Sequence, residues 1–238
     1  SDTQDDVKGI AFEEFLGTTF RGELGQFFTP RTIVDFMTEI LDPQEGEVIC
    51  DPTCGSGGFL IKAFEYVREK IEADIRSKKD SLRLSIEGND YDALPEDKQV
   101  KISHSIDKMQ AALNTELDTG IEGSRMYQLS RNCIYGTDAN PRMARTSKMN
   151  MIMHGVDWQN FDIYKGDTLK DDKYGDDLKL TVQVCNPPYS LKWSADKKFE
   201  DDPRYSGVGK LAPKGQADLA FVEHMIYHMD DADGRVAV

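Results

Sequence analysis

Val48-Ile49-Cys50-Asp51-Pro52-Thr53-Cys54-Gly55-Ser56-Gly57-Gly58-Phe59 is a short apolar run that breaks into a glycine loop and then into a helical pattern. A glycine loop between a first strand and its helix lets the backbone approach a ligand closely at the carboxyl end of a sheet. The loop is not the dinucleotide fingerprint, which, started at Gly55, would require glycine where Leu60 stands. It also lacks the Gly-Lys-Ser/Thr of a phosphate loop. Asp51 stands ahead of the glycines, so a cationic or amino-bearing ligand fits better than pyrophosphate.

On either side of this loop, strands alternate with helices. Upstream, Thr29-Pro30 predicts a helix start, with Thr29 as N-cap and Pro30 in the first helical position. Ile33, Val34, Met37, Ile40 and Leu41 form its apolar stripe, and Leu41-Asp42-Pro43 ends it. Downstream, a long helix runs from Gly58 towards Arg76. Residues 77–98 are charged and turn-rich, and Ile102, Ile106, Met109, Leu113 and Leu117 then recur at helical spacing. Residues 72–131 read as a helical insertion between the first two strands, or as plain structural padding. A second strand runs from Asn132 to Gly136 and ends in Thr137-Asp138. Asn140-Pro141 caps a helix closing at Gly155, whose Met143, Met149, Met151 and Met153 read as core packing. A third strand, Phe161 to Tyr164, leads to Gly166-Asp167-Thr168, and a fourth, Thr181 to Cys185, ends at Asn186. A helix from Ala217 to Met229 shows Leu219, Val222, Ile226 and Met229 on one face, and Gly234 to Val238 begins a fifth strand. The alternation predicts an α/β fold with a doubly wound, mostly parallel sheet.

The fourth strand delivers Asn186-Pro187-Pro188-Tyr189 to the end of that sheet. A rigid turn there presents an amide, a backbone carbonyl and an aromatic ring. Together these can hold a planar exocyclic amine: the Asn186 oxygen and a proline carbonyl accept its two N–H hydrogens, and Tyr189 stacks on the ring. Taken alone, the tetrapeptide could be an ordinary proline-rich turn. Asp138 can accept from both hydroxyls of a ribose, and Asp167 from an adenine amine. Each aspartate taken singly also reads as a helix cap or turn residue. Three acids at three successive strand ends, Asp51, Asp138 and Asp167, describe S-adenosylmethionine.

Composition narrows the partners. With 29 basic and 43 acidic side chains the net charge is −14, which works against nucleic-acid binding by the bare chain. Lys192 to Lys214 departs from this trend, with Lys192, Lys197, Lys198, Arg204, Lys210 and Lys214 against four acids directly after Tyr189. That stretch reads either as a solvated loop or as a basic patch. Cys50, Cys54, Cys133 and Cys185 fit no zinc spacing, so no metal is expected, and they read as buried thiols of a cytoplasmic protein. No apolar run approaches the roughly 20 residues of a membrane span, so no membrane partner is expected. The chain opens on Ser1 and closes on Val236-Ala237-Val238 inside a predicted strand, which reads as a C-terminal truncation.

Gly25-Gln26-Phe27-Phe28-Thr29-Pro30-Arg31, the loop from Asp51 to Phe59, Gly136-Thr137-Asp138-Ala139-Asn140-Pro141 with Met149-Asn150-Met151, and Asn186-Pro187-Pro188-Tyr189 follow in this order. In that arrangement the sequence resembles the DNA N6-adenine methyltransferases, most of all the modification subunit of type I restriction-modification systems. Gln216 to Val222 and the Gly234-Arg235-Val236 strand start look like that subunit too. The resemblance runs from Gly9 onward apart from residues 78–131. It implies a Rossmann-like, S-adenosylmethionine-dependent methyltransferase domain over residues 29–238, with residues 1–28 as an N-terminal lead-in ending a helical region.

By the same resemblance, Gln26, Phe27, Phe28, Thr29, Pro30 and Arg31 close over the methionine end of the cofactor. Asp51, Gly55, Ser56, Gly57 and Gly58 line its amino acid, Asp138 its ribose and Asp167 its adenine. Asn186 and the Pro187 carbonyl bind the target N6 amine beside Pro188, and Tyr189 stacks on the flipped-out base. Implied partners are double-stranded DNA, a specificity subunit, a restriction subunit and a second modification subunit. Two competing readings are methylation of another planar amine, such as a protein glutamine or an RNA base, and a cofactor-binding scaffold without activity of its own.

Overall fold

The computed structural model describes residues 29–88, 91–131, 133–156, 161–207 and 209–238. The expectations for residues 1–28, including Gln26, Phe27 and Phe28, lie outside the described residues.

Five parallel strands, β1 (Ile49–Asp51), β2 (Ile134–Asp138), β3 (Phe161–Lys165), β4 (Val182–Val184) and β5 (Arg235–Ala237), form one sheet in the order β3-β2-β1-β4-β5. Ile49 is in register with Ile134 on one side and Val182 on the other. The order reverses at β1, so the carboxyl ends of β1 and β4 open a crevice between them.

Alternation along the strands divides the sheet into two packed faces. Ile49, Ile134, Phe161, Ile163, Val182 and Val184 point into the larger core. There they meet α1 (Arg31–Leu41), α2 (Gly58–Glu87) and α5 (Pro141–Met153), whose Val34, Leu60, Phe64, Val67 and Met151 are buried. Cys50, Tyr135 and Tyr164 point the other way, around Tyr174 and Leu180. The side-chain amide of Gln183 donates to the Met225 carbonyl at 2.6 Å, fixing α7 (Asp218–His228) on that second face. A doubly wound sheet with helices on both faces is therefore present, as the strand–helix alternation predicts.

Several local expectations are corrected. Helix α2 continues to Glu87, and past its last buried residue, Ile75, it carries the i,i+4 pairs Lys78–Asp74 and Arg83–Glu87 on a solvent-facing stretch. It is followed by α3 (Glu96–Asn114) and the short α4 (Arg125–Leu129), and position 72 falls inside α2. Met126 and Leu129 join the main core, and Arg125 pairs with both Glu45 and Asp74. On α1 the inward side chains are Val34, Thr38 and Leu41, leaving Ile33, Phe36 and Ile40 exposed. Met143 and Met151 are core residues, but Met149 is exposed. On α7 the buried face is Ala220, Phe221, His224, Met225 and His228, with Leu219 and Ile226 outside. The apolar stripe misleads there because two histidines lie inward. Among the described residues no helix is long and apolar enough to cross a membrane.

Candidate active site

The glycine loop turns sharply because Gly55 (φ 53°) and Gly57 (φ 89°) take the left-handed conformation that only glycine adopts at low cost. Gly57 also answers to α5: a Cβ there would stand 2.6 Å from Ser147 Oγ. Asn150, one turn further along α5, donates from its amide to the Ser56 carbonyl at 2.8 Å. Cys54 N donates to the Thr137 carbonyl at 2.9 Å, so the loop is also sewn to β2. Helix α5 reaches this position because Asn140 caps it, its side chain accepting from Arg142 N at 2.9 Å with Pro141 in the first turn.

Two carboxylates line the loop. Asp138 Oδ2 accepts from Gly55 N at 3.0 Å and Oδ1 from Asn140 N at 2.7 Å. Burial raises its pKa. Asp51 is 2% exposed, and its Oδ1 accepts from Thr53 N at 2.9 Å. Burial pushes its carboxyl up to about 7, and the nearby Asp138 charge adds to the rise. Each oxygen has lone-pair capacity beyond these bonds. Two desolvated acids beside a glycine-rich backbone turn suit a ligand that brings both positive charge and hydroxyl or amine donors.

Asp167 sits at the turn after β3. Its Oδ1 accepts from Leu169 N at 3.2 Å, and Oδ2 pairs with Lys170 Nζ at 2.8 Å. Its side chain thus also serves as a turn cap. The neighbouring Thr168 hydroxyl donates to the Pro52 carbonyl at 2.5 Å, joining the turn after β3 to the glycine loop.

Asn186 follows β4 at the same end of the sheet. Its Nδ2 donates to Thr29 Oγ1 at 3.0 Å, which turns the amide so that Oδ1 is the group available to accept. Thr29 is not the helix cap: Pro30 holds that position in extended backbone (φ −54°, ψ 138°) with no side-chain capping bond. Its carbonyl accepts from Ile33 N and Val34 N instead. Pro187 is buried, Pro188 is exposed and the Tyr189 ring is 71% exposed, as a stacking surface for a partner must be. Ser190 (φ 55°) completes the turn, and its N–H meets Asp218 Oδ1 at the start of α7 at 3.3 Å. Cys185 is fully buried against Met225, and burial pushes its thiol far up, so it is an inert core residue. All four cysteines are buried thiols.

Residues 192–214 do not form a solvated loop. Trp193, Phe199 and Tyr205 pack with Leu169, Ala217 and Phe221 in a small core of their own. Arg204 turns inward, whereas Lys192, Lys197, Lys198, Lys210 and Lys214 are exposed. Charge counting alone could not separate that one arginine from five lysines. The interleaved aromatics are the signal that the segment folds.

The site's residues therefore come from Thr29, the glycine loop, the ends of β2, β3 and β4, and α5. Ser147, Thr168 and Arg204 escape a reading by motif, and Asn150 enters one, Met149-Asn150-Met151, with no role attached. Ser147 and Asn150 were accessible from helical spacing, since they share the buried face of α5 with Met143 and Met151.

Residues 3–98 and 119–238 match the family model described as N-6 DNA methylase. The chain is similar to the type I restriction enzyme MjaIX methylase subunit of Methanocaldococcus jannaschii, with 30% identity over 94% of this chain and 30% of that protein. Similarity to the HindI methylase subunit of Haemophilus influenzae reaches 26% identity over 98% of this chain and 40% of that protein. In structure it resembles the type I restriction-modification methyltransferase subunit from Streptococcus thermophilus. The TM-score is 0.65 and the identity 28%, over 96% of this chain and 37% of the other. The chain thus spans about a third of the length of these relatives.

Proposed function

The chain belongs to the N-6 DNA methylase family, and on that premise we propose that it carries the catalytic site of a DNA adenine N6-methyltransferase, the modification subunit of a type I restriction-modification complex. The observation that carries this reading is the Asn186–Thr29 hydrogen bond, which occupies the amide nitrogen and leaves the amide oxygen as the acceptor, three residues before an exposed Tyr189 ring.

S-adenosylmethionine would supply an electrophilic methyl group held on a sulfonium. The residues present fit such a group. Gly55 to Gly58 would leave room for its amino acid portion beside the Asp51 carboxyl, and Asp138 would hold the ribose and Asp167 the adenine. Thr29, Pro30 and Arg31 flank the methionine end.

The work of the chain's own residues lies on the target base. Asn186 Oδ1 and the Pro187 carbonyl accept the two N6 hydrogens of a flipped-out adenine, and Pro188 keeps the turn rigid. Both bonds strengthen as the amine nitrogen loses conjugation with the purine and gains positive charge, so they favour the transition state over the ground state. Tyr189 stacks on the base and fixes its plane, which aligns the nitrogen with the departing methyl group. Cys185 takes no part.

The −14 net charge supports a grip on DNA shared with a more basic specificity subunit that supplies phosphate contacts, beside a second modification subunit. A restriction subunit completes the proposed set of partners. The four buried thiols suit the cytoplasm.

Calorimetric titration of S-adenosylmethionine into the full-length subunit, beside Asp138→Ala, tests the cofactor half of the proposal. Binding by the parent and at least about tenfold weaker binding by the variant is the expected result. Equal affinity would remove Asp138 from the site.

A further inference from the structure

Arg204 is 6% exposed, in a segment whose other basic side chains face solvent. It lies in a one-turn helix, α6 (Pro203–Ser206), opened by Asp202, whose carboxylate accepts from Arg204 N at 3.0 Å. The same carboxylate takes two guanidinium bonds, Nε to Oδ1 at 3.0 Å and Nη2 to Oδ2 at 2.7 Å. The remaining donors point away from the segment. Nη1 donates to the Thr168 carbonyl at 2.9 Å and to His224 Nδ1 at 3.2 Å, and Nη2 donates to the Leu169 carbonyl at 3.3 Å. All five guanidinium hydrogens are thereby used. The Tyr205 hydroxyl adds a donation to the Leu169 carbonyl at 3.1 Å.

These acceptors connect two halves of the site. Thr168 and Leu169 follow Asp167 directly, and the Thr168 hydroxyl reaches Pro52 in the glycine loop. In the other direction, the Arg204 segment is closed onto the turn that follows Tyr189. Ala217 N donates to the Leu191 carbonyl at 3.1 Å, and Trp193 N to the Lys214 carbonyl at 3.1 Å. Side-chain packing repeats the connection, since Leu169 shares a core with Trp193, Phe199 and Tyr205. The neutral partner His224 is held down to about 3, chiefly by burial and then by the neighbouring His228, so it can accept from the guanidinium.

We infer that Arg204 is a positioning residue that fixes the turn after β3, on the cofactor side, against the segment that follows Asn186-Pro187-Pro188-Tyr189, on the target side. The inference rests on the proposed methyl transfer. Lysine cannot replace this side chain, because a single ammonium has three donors and no planar fork. Arg204→Lys keeps the charge and loses the geometry.

The test uses the full-length modification subunit with its specificity subunit, comparing parent, Arg204→Lys and Tyr205→Phe. Thermal midpoint, kcat, the KM values for S-adenosylmethionine and for target DNA, and calorimetric cofactor affinity are measured on each. In folded Arg204→Lys, kcat falls at least about tenfold and cofactor affinity weakens about fivefold, with KM for DNA within about twofold of the parent. Tyr205→Phe moves the same two quantities in the same direction by less. A folded Arg204→Lys with parent kcat and parent cofactor affinity overturns the inference, even if its midpoint has dropped. If Arg204→Lys does not fold, the same readings on Tyr205→Phe decide, parent values overturning it. If the parent complex transfers no methyl group to adenine, the proposed function fails by itself, and cofactor affinity alone decides the role of Arg204.

Discussion

In the proposed site Asn186 and Asp51 carry the chemistry at the scale of single residues, and each has a distinct signature. Removing the Asn186 amide leaves the glycine loop untouched but takes away one of two acceptors for the target amine. Asn186→Ala is expected to lower kcat by at least about 100-fold, the cost of losing one transition-state hydrogen bond in a dry site. Cofactor affinity should stay near the parent value by calorimetry. Asp51 makes binding depend on pH. Its carboxyl is held up to about 7 by burial, so below that pH it is protonated and neutral. Affinity for a cationic ligand is therefore full above about pH 7 and weakens as the pH falls through it. The linkage to folding runs in the opposite direction. The folded chain holds this proton more tightly than the unfolded one, whose carboxyl titrates near 3.8, so this group lowers stability as pH rises from about 4 to about 7. Calorimetry from about pH 6 to about pH 8 reads the first effect, and Asp51→Asn should flatten it. A pH-independent parent affinity would rule out the Asp51 assignment.

Among the elements, the glycine loop and α5 act as one unit. A methyl group at Gly57 meets both a left-handed backbone and Ser147 Oγ at 2.6 Å. Gly57→Ala should destabilise the fold by about 1–3 kcal/mol and weaken cofactor binding with it. Adding Ser147→Gly should restore part of the thermal midpoint, because it relieves the clash but not the backbone strain. No restoration would show that α5 does not limit the loop. Strands β1, β2 and β4 were legible in the sequence because parallel strands buried on both faces read as short apolar runs ending at Asp51, at Asp138 and just before Asn186. Helix faces were less so. On α7, His224 and His228 are buried beside Tyr174 and the Asp172 carboxylate, a polar interior that an apolar stripe cannot announce. Thr29 shows the complementary failure: a good capping residue in the right place spends its hydroxyl on Asn186, a partner far away in sequence. Motif order exposed the strand-end residues of the candidate site. The supports from Thr168 and Arg204 depend on packing between distant segments that no local pattern encodes.

At the scale of the whole molecule, charge and site geometry pull apart. A chain of net charge −14 presents Lys192, Lys197, Lys198, Lys210 and Lys214 on an ordered segment next to Tyr189. If that segment tracks the target strand, Lys197→Ala with Lys198→Ala should weaken DNA binding at every sequence alike. It should also reduce the slope of log affinity against log salt by about one for each phosphate that is no longer neutralised. An unchanged slope would assign the phosphates to the partner subunits. The chemistry proposed for this site is placement of a methyl group on the N6 nitrogen of adenine. The most direct measurement is mass spectrometry of nucleosides from duplex DNA incubated with S-adenosylmethionine and the full-length subunit bound to its specificity subunit, with Asn186→Ala in parallel. N6-methyladenine formed by the parent, and at an initial rate at least about 100-fold lower with the variant, is the predicted result. Methylated cytosine, or no methylated base from an assembled complex that binds both cofactor and DNA, would contradict it.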